Sequence, residues 1–246
     1  MNSHLQCSFI CKGGMEDVMV SIRVFGNHDC GGTLIDDQWV LTAAHCLDEY
    51  NVYPLRTSLI NNGLLQVAVG LHDVQETNPS KLISVADFYI YGDYNPSMPF
   101  MNENFDNQIC VVTGWGDDET DGIPQRFLQK VSNPVQSNEK CSDSFGVQAV
   151  PSMVMCAGFK KGGKNSCHGD NGGPLVCERN GVWKLAGIVS GTVSGSCASP
   201  NDPMCIHQGV FLSGLDRRQD APITVGWHSY WINNNKMKIK SKVLLC

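Results

Sequence analysis

Cys-His-Gly-Asp-Asn-Gly-Gly-Pro, at residues 167–174, is the stretch on which the assignment of the fold depends. By itself, such a glycine-rich run more often marks a tight turn than a functional loop. A second block makes the pattern specific, because Cys-Gly-Gly-Thr-Leu-Ile at residues 30–35 precedes Trp-Val-Leu-Thr-Ala-Ala-His-Cys at residues 39–46. Three shorter blocks, Cys-Val-Val-Thr-Gly-Trp-Gly, Cys-Ala-Gly and Gly-Ile-Val-Ser, lie at residues 110–116, 156–158 and 187–190.

In this order, the blocks resemble the chymotrypsin/trypsin family of serine proteases, and the resemblance covers residues 13–235. It implies an all-β fold of two packed antiparallel β-barrels followed by a C-terminal helix. Residues 13–107 would form the first barrel, which carries His45, and residues 108–235 the second, which carries the loop at residues 167–174. Residues 1–12 would be an N-terminal segment of uncertain role, and residues 236–246 a basic tail.

The hydrophobic pattern agrees with an all-β chain. Apolar residues alternate with other residues along residues 18–24, which is the period-two pattern of a half-buried strand. Asn180-Gly181 favours a two-residue hairpin turn, because both central positions of that turn need positive φ. Only residues 227–231 are predicted to be helical. Further strands are predicted from short apolar runs at residues 64–69, 82–91, 110–113, 175–178 and 182–190.

Twelve cysteines indicate a disulfide framework in an oxidising compartment, so we expect an extracellular, secreted protein. Residues 1–11 have neither the basic start nor the apolar run of a secretion signal, and we expect the native N-terminus to differ.

No Cys-x-x-Cys or His-x-x-x-His pair points to zinc, so we expect no metal. A net charge of -6 and a pI near 5.6 argue against nucleic acid as a partner, and no apolar run predicts a membrane span.

The resemblance places Asn171 where the family has its nucleophilic serine. The nitrogen lone pair of an amide is delocalised, so Asn171 cannot be activated to attack a carbonyl as a hydroxyl can. The resemblance assigns the role of catalytic base to His45. The backbone amides of Gly169 and Asn171 could still form the oxyanion hole, because that site is built from main chain.

The position of the catalytic carboxylate has two candidates, because we expect the strand that carries it in the family to be missing from the sequence before Cys110. Asp106 could act as the catalytic carboxylate, or it could be an exposed loop residue. Alternatively, Gln108 could occupy the position that the catalytic aspartate has in the family. The first barrel is therefore expected to be incomplete.

Lysines at positions 236, 238, 240 and 242 predict a solvated tail, with an anchor for acidic surfaces as the alternative.

Activation also differs from the family, in which a newly freed apolar N-terminus pairs with the aspartate that Asp170 matches. Residues 11–18 contain no such terminus, and an unpaired buried charge is costly, by about 3 to 5 kcal/mol. We therefore expect Asp170 to turn toward solvent and the oxyanion loop to collapse. Asn165 matches the floor of the specificity pocket and Gly209 one wall, and a neutral floor argues against selectivity for basic residues.

The resemblance also implies a set of disulfides. Cys7, Cys11, Cys205 and Cys246 are left without predictable partners. The four implied bridges are Cys30 with Cys46, Cys110 with Cys177, Cys141 with Cys156, and Cys167 with Cys197.

Together with Asn171, the resemblance predicts a catalytically inactive serine protease homologue that needs no cofactor. It would act by binding protein or peptide ligands, such as active proteases or their substrates, as a regulator or decoy in a proteolytic pathway. Two alternatives remain open. The chain could represent a serine endopeptidase through an aberrant or alternatively spliced sequence, or it could be a splice or gene-model product that does not fold.

Overall fold

The computed structural model describes residues 18–35, 38–90, 104–117, 123–150, 154–192, 197–207 and 241–245. Two short helices lie within these ranges, α1 (Leu55–Asn61) and α2 (Asn138–Phe145), together with 3-10 turns at Ala44–Cys46 and Asp48–Tyr50. The strands are β1 (Met19–Val24), β2 (Asn27–Leu34), β3 (Trp39–Thr42), β4 (Leu65–Val69), β5 (Leu82–Ile90), β6 (Ile109–Gly114), β7 (Gln129–Gln136), β8 (Val154–Ala157), β9 (Pro174–Arg179), β10 (Val182–Thr192), β11 (Met204–His207) and β12 (Ser241–Leu245).

The strands form two closed barrels, which confirms the predicted all-β, two-barrel architecture. The first barrel has the order β1-β2-β3-β12-β5-β4. Its core contains the inward residues of β1, such as Ile22, packed with Leu41 and Phe88. The alternation at residues 18–24 predicted one solvated face, but every residue of β1 is buried. The second face is buried as well because Met19 packs against Trp115, between the two barrels.

The first barrel is closed by a strand from the C-terminus. β12 pairs in parallel with β3 on one side and with β5 on the other, in the gap where the resemblance implied a lost strand. The expected gap in the barrel is therefore filled. The prediction of a solvated tail was wrong for Ser241–Leu245, because unpaired strand edges on β3 and β5 offer main-chain hydrogen bonds that the tail takes up.

The second barrel has the order β10-β11-β8-β7-β6-β9, and its neighbouring strands all pair antiparallel. The hairpin predicted at Asn180-Gly181 is confirmed, since Val182 pairs with Arg179 and both turn residues have positive φ. The core of this barrel is built from inward residues such as Leu175 and Ile206. A disulfide between β6 and β9 spans one side of it.

Trp115 packs between the two barrels. Its side chain is fully buried against Met19, Ala68 and Leu71 of the first barrel, and its Nε1 donates a hydrogen bond to the His72 carbonyl at 3.2 Å. This packing joins the first barrel to the second.

Neither α-helix was predicted from the sequence, and the helix expected at residues 227–231 lies outside the described residues. The signals for α2 are nevertheless present, because the Ser137 hydroxyl caps its N-terminus and Gly146 ends it with a φ of 65°. Helix α1 has no capping side chain and buries only Leu59. In the part of the chain that the structure describes, no helix has the length and apolar character needed to cross a membrane.

Candidate functional site

The loop at residues 167–174 lies directly against the first barrel. The Gly31 amide of β2 donates a hydrogen bond to the Asn171 carbonyl at 2.7 Å, and Cys46 Sγ lies 3.8 Å from the same oxygen. Gly172 donates to the Val189 carbonyl at 2.7 Å. The structure thus brings Asn171 next to the turn that carries His45.

Asp170 is buried beneath this loop. Its Oδ1 accepts a hydrogen bond from the Gly116 amide at 2.8 Å, and its Oδ2 accepts one from the Cys167 amide at 2.9 Å. Burial raises the pKa of Asp170, and the negative charge of Asp117 adds to the rise, whereas the two amide donors oppose it. The expectation that Asp170 turns toward solvent was wrong, because these two amides replace much of the hydration that the carboxylate loses.

Two glycines make room for this carboxylate. A Cβ atom placed on Gly116 would lie 2.5 Å from Asp170 Cγ, and one on Gly114 would lie 2.8 Å from the same atom. Both glycines belong to the Thr-Gly-Trp-Gly block, so that block and the loop at residues 167–174 are two halves of one packed unit. The sequence contained both blocks, but only the tertiary structure shows that they touch.

The two candidate oxyanion donors are oriented by their neighbours. The His168 carbonyl accepts from the Asp117 amide at 2.8 Å, and the Asp170 carbonyl accepts from the Gly173 amide at 3.0 Å. In a trans peptide the N–H points away from the C=O, so the amides of Gly169 and Asn171 are directed away from these partners. Within the described residues neither amide donates a hydrogen bond, which differs from the collapsed loop that we expected.

His28 connects Gly169 to the first barrel, a role that the sequence analysis missed. Its Nε2 lies 3.1 Å from the Gly169 carbonyl, and its Nδ1 lies 2.8 Å from Ser21 Oγ. A carbonyl can only accept, so Nε2 carries the proton and Nδ1 accepts from the Ser21 hydroxyl. Burial lowers the pKa of His28, which favours this neutral form. The signal for this role in the sequence was a histidine, which can both donate and accept hydrogen bonds, two residues before Cys30.

His45 lies in the 3-10 turn Ala44–Cys46 and is exposed. One of its ring nitrogens is within 4.8 Å of the sulfurs of Cys30 and Cys46, which form a disulfide. Partial burial of the ring lowers the pKa of His45 and so favours its neutral form. Among the described residues, no carboxylate forms a hydrogen bond or ion pair with this ring.

Asp106 lies near the start of β6, whereas Asp170 contacts Gly116 just beyond the end of the same strand. Ile109 begins β6 and Gly114 ends it, so five strand steps of about 3.4 Å separate the two ends by about 17 Å. The Asp106 side chain is exposed, and its amide donates to Asn104 Oδ1 at 2.7 Å. The structure does not bring Asp106 to the turn that carries His45.

Gln108, the other candidate for the carboxylate position, belongs to the same region. Its amide donates to the Phe105 carbonyl at 2.9 Å, and its Nε2 donates to the Glu178 carbonyl at 2.5 Å. Arg179 Nη2 donates to the Asn104 carbonyl at 2.6 Å. These contacts tie the segment before β6 to the second barrel instead of to the histidine turn.

The predicted pocket floor is half-buried and engaged with backbone. Asn165 Nδ2 donates to the Asp202 carbonyl at 3.2 Å, and Asn165 Oδ1 accepts from the Ser166 amide at 3.0 Å. A cavity of about 980 Å³ is lined by Asn165 together with Asp170, Lys161 and Lys164. Gly209, the predicted wall, lies outside the described residues.

The disulfides follow the pattern that the resemblance implied. Cys205 is an unbridged, half-buried thiol, and burial raises its pKa to about 11. The two groups in which His lies close to two Cys residues contain bridged sulfurs, which are not available as thiolate ligands for a metal. Cys7, Cys11 and Cys246 are outside the described residues. The four bridges present are Cys30–Cys46, Cys110–Cys177, Cys141–Cys156 and Cys167–Cys197.

Comparison with known proteins gives a family match and a curated relative. The family model described as "Trypsin" matches residues 10–104 and 98–210. Coagulation factor XI of Bos taurus is 34% identical over 181 residues, which are 66% of this chain and 29% of the relative. The aligned region therefore spans less than a third of the length of that curated relative.

Proposed function

Because the chain belongs to the trypsin family of serine proteases, we propose that it is a catalytically inactive member that acts by binding protein or peptide ligands. The observation that carries this proposal is Asn171, which stands where the nucleophilic serine of the family is expected. Loss of the nucleophile removes about 10⁶ in kcat in a serine protease, so binding is what remains. The carboxamide offers hydrogen bonds but no reactive lone pair on nitrogen.

The surroundings of His45 support the same proposal. The partner that would hold the imidazole in its reactive tautomer is a buried carboxylate, and none contacts His45 among the described residues. Asp106, the candidate from the sequence, lies at the far end of β6. In the family's triad, loss of this carboxylate function by itself lowers kcat by about 10⁴.

The ligand that suits this arrangement is an extended peptide or an exposed protein loop. The amides of Gly169 and Asn171 remain free to donate, and a carbonyl oxygen of a bound segment is their natural acceptor. We infer that such ligands include active proteases or their substrates, so that the protein is a regulator or decoy in a proteolytic pathway. Asn165 provides an amide floor, which removes the ion pair that would select Arg or Lys.

The proposed location is extracellular. Four disulfides within one chain persist in oxidising compartments and are rare in the cytosol, where thiols are kept reduced.

A second candidate is a working serine endopeptidase that this sequence represents in altered form. It is favoured by the ordered oxyanion loop, in which Asp170 is already buried and hydrogen-bonded. The two candidates differ in what a restored hydroxyl would do. If the rest of the catalytic site is complete, a restored hydroxyl at position 171 would allow peptide turnover. If the rest of the site is incomplete, it would not.

Restoring the nucleophile separates these candidates. We expect the wild-type protein and Asn171→Ala to give no covalent labelling by a fluorophosphonate and no turnover of a peptide panel. Asn171→Ser is expected to reach at most about 10⁻⁴ of the rate of an intact triad, because His45 lacks an orienting carboxylate. Full turnover by Asn171→Ser would overturn the proposal and support the endopeptidase.

Ligand preference provides an independent measurement. Two peptides that differ at a single position, which is neutral in one and basic in the other, are each titrated against the wild-type protein and against Asn165→Asp. We expect no preference for the basic peptide in the wild type and a gain of about tenfold in its affinity for Asn165→Asp, because a charge-assisted hydrogen bond is added. Equal binding of both peptides by both proteins would show that Asn165 does not contact the ligand.

A further inference from the structure

We propose that the gap between β3 and β5 is a binding site for an extended peptide, and that its ligand is the Ser241–Leu245 segment of this chain. The segment would be a detachable strand, held by main-chain pairing and not by its position in the sequence. This goes beyond the proposed function and depends on none of the residues around Asn171.

Among the described residues, β12 is the strand that lies between β3 and β5. β5 ends at Ile90, and the described chain resumes at residues 104–108, which contact the second barrel through Val135 and Glu178. β3 and β5 would therefore each present an unpaired edge without β12. Exposed strand edges readily accept another extended chain. Buried residues of both strands, such as Leu41 and Phe88, belong to the barrel core that such a chain would close.

The register shows that β12 satisfies both edges at once. On one side, Lys242 to Leu245 pair with Trp39 to Thr42. On the other side, Ser241 to Leu245 pair with residues of β5 from Val85 to Ile90. Addition of a strand to an open edge is a known way for proteins to bind peptides, in which main-chain hydrogen bonds supply affinity.

Two features distinguish β12 from the other strands of the barrels. It is parallel to both neighbours, whereas the other strand pairs in the described barrels are antiparallel. Thirty-three residues separate it from β11, which belongs to the other barrel. Parallel pairing is slightly weaker per residue than antiparallel pairing. A covalent connection of this length raises the local concentration of the strand at its binding site.

The decisive experiment cuts the tether in the full-length chain. A specific protease site is inserted after Lys236 in a chain that also carries Cys246→Ser, so that no disulfide can retain the released piece. After cleavage, we expect the C-terminal peptide to co-elute with the rest of the protein on gel filtration. Release of the peptide from a core whose thermal transition is unchanged would overturn the proposal.

A proline provides the matched control. Val243→Pro removes one amide donor from the middle of the strand, between Val40 and Phe88. We expect the cleaved Val243→Pro peptide to dissociate, and a synthetic Ser-Lys-Val-Leu-Leu peptide to displace the native segment at about one tenth of the concentration that its proline version needs. Retention of the proline peptide as tightly as the native one would also overturn the proposal.

The source of the strand is read from the same samples. Co-elution at the mass of one chain identifies the chain's own segment as the ligand. A dimer in differently tagged, uncut chains identifies the tail of a second copy in the same gap, which supports the binding site and reassigns only the donor. If the Val243→Pro chain does not fold, the cut native chain decides by itself, because its peptide is either retained or released.

Discussion

The two barrels of this protein are completed in different ways. The second barrel draws all six of its strands from residues 109–207, and every neighbouring pair is antiparallel. The first barrel has five strands from residues 19–90 and needs a sixth, β12, from the far end of the chain. Three of the four disulfides lie in the second barrel, and only Cys30–Cys46 lies in the first.

The difference between the barrels extends to the candidate site. The second barrel is intact, and with it the buried Asp170, its two glycines and the free amides of the loop. In the first barrel, the position between β3 and β5 is taken by β12, which comes from the C-terminal end of the chain. Asp170 is therefore held by two amides on the side of the second barrel, whereas on the side of the first barrel no carboxylate contacts His45 within the described residues.

Removal of disulfides tests the comparison with the largest expected effect. In the chain-entropy model, loss of Cys110–Cys177, with a separation of 67, costs about 4 kcal/mol, and loss of Cys30–Cys46, with a separation of 16, about 3 kcal/mol. Paired Cys→Ala variants are compared by chemical unfolding, with hydrogen exchange to assign the loss to a barrel. Cys205→Ala is the matched control with no bridge to lose. If loss of Cys30–Cys46 lowered the free energy of unfolding more than loss of Cys110–Cys177, this comparison of the two barrels would be wrong.

Gly116→Ala tests whether the second barrel is as tightly built as its geometry indicates. The new Cβ would overlap the buried Asp170 carboxylate, so we expect a loss of about 2 to 3 kcal/mol in the free energy of unfolding. Asp170→Ala in the same chain should remove the overlap and recover part of the loss. Additive effects of the two changes would mean that the glycine is required for another reason.

The pH dependence of stability tests the state of Asp170. Because burial raises its pKa above the ordinary value of 3.8, the folded protein binds this proton more tightly than the unfolded chain. Its contribution to stability is therefore fullest below that ordinary value and falls as pH rises through the raised pKa. Relative to Asp170→Asn, the wild type should gain stability as pH is lowered. The opposite slope would reveal a cation paired with the carboxylate.

Ser21→Ala is expected to have the smallest effect. It removes the donor to His28 Nδ1 and leaves that buried nitrogen unpaired, at a cost of about 1 kcal/mol. The loss should extend to the loop of the second barrel, because His28 donates to the Gly169 carbonyl. Hydrogen exchange of the loop amides measures this effect. Faster exchange confined to the first barrel would show that the two barrels are not coupled through His28.

Much of the second barrel could be predicted from sequence. Its strand pattern and the Asn180-Gly181 turn are local signals, because alternation and turn chemistry act over a few residues. Its bridges could be assigned only through the resemblance, since cysteine spacing alone leaves the connectivity open. Helix α2 was missed although Ser137 and Gly146 are ordinary capping residues, so that error reflects an unused signal and not a missing one.

The candidate site was predictable as a set of residues but not as an arrangement. The sequence identified His45, Asn171 and Asp170, and their neighbourhood follows from the two packed barrels. It misjudged Asp170, because exposure of a carboxylate depends on which amides surround it in space. It could not place Asp106, because its distance from His45 depends on the direction in which β6 runs.

The sequence by itself determined the family and the two-barrel plan, and it predicts the loss of the nucleophile from Asn171, since each of these depends on residue identity in a local block. The tertiary structure alone decided that the first barrel is closed by Ser241–Leu245 and that Asp170 is buried between Gly114 and Gly116. Both outcomes depend on contacts between residues far apart in the chain. Such contacts form where free hydrogen-bonding groups and space coincide, and no local pattern in the sequence records that coincidence.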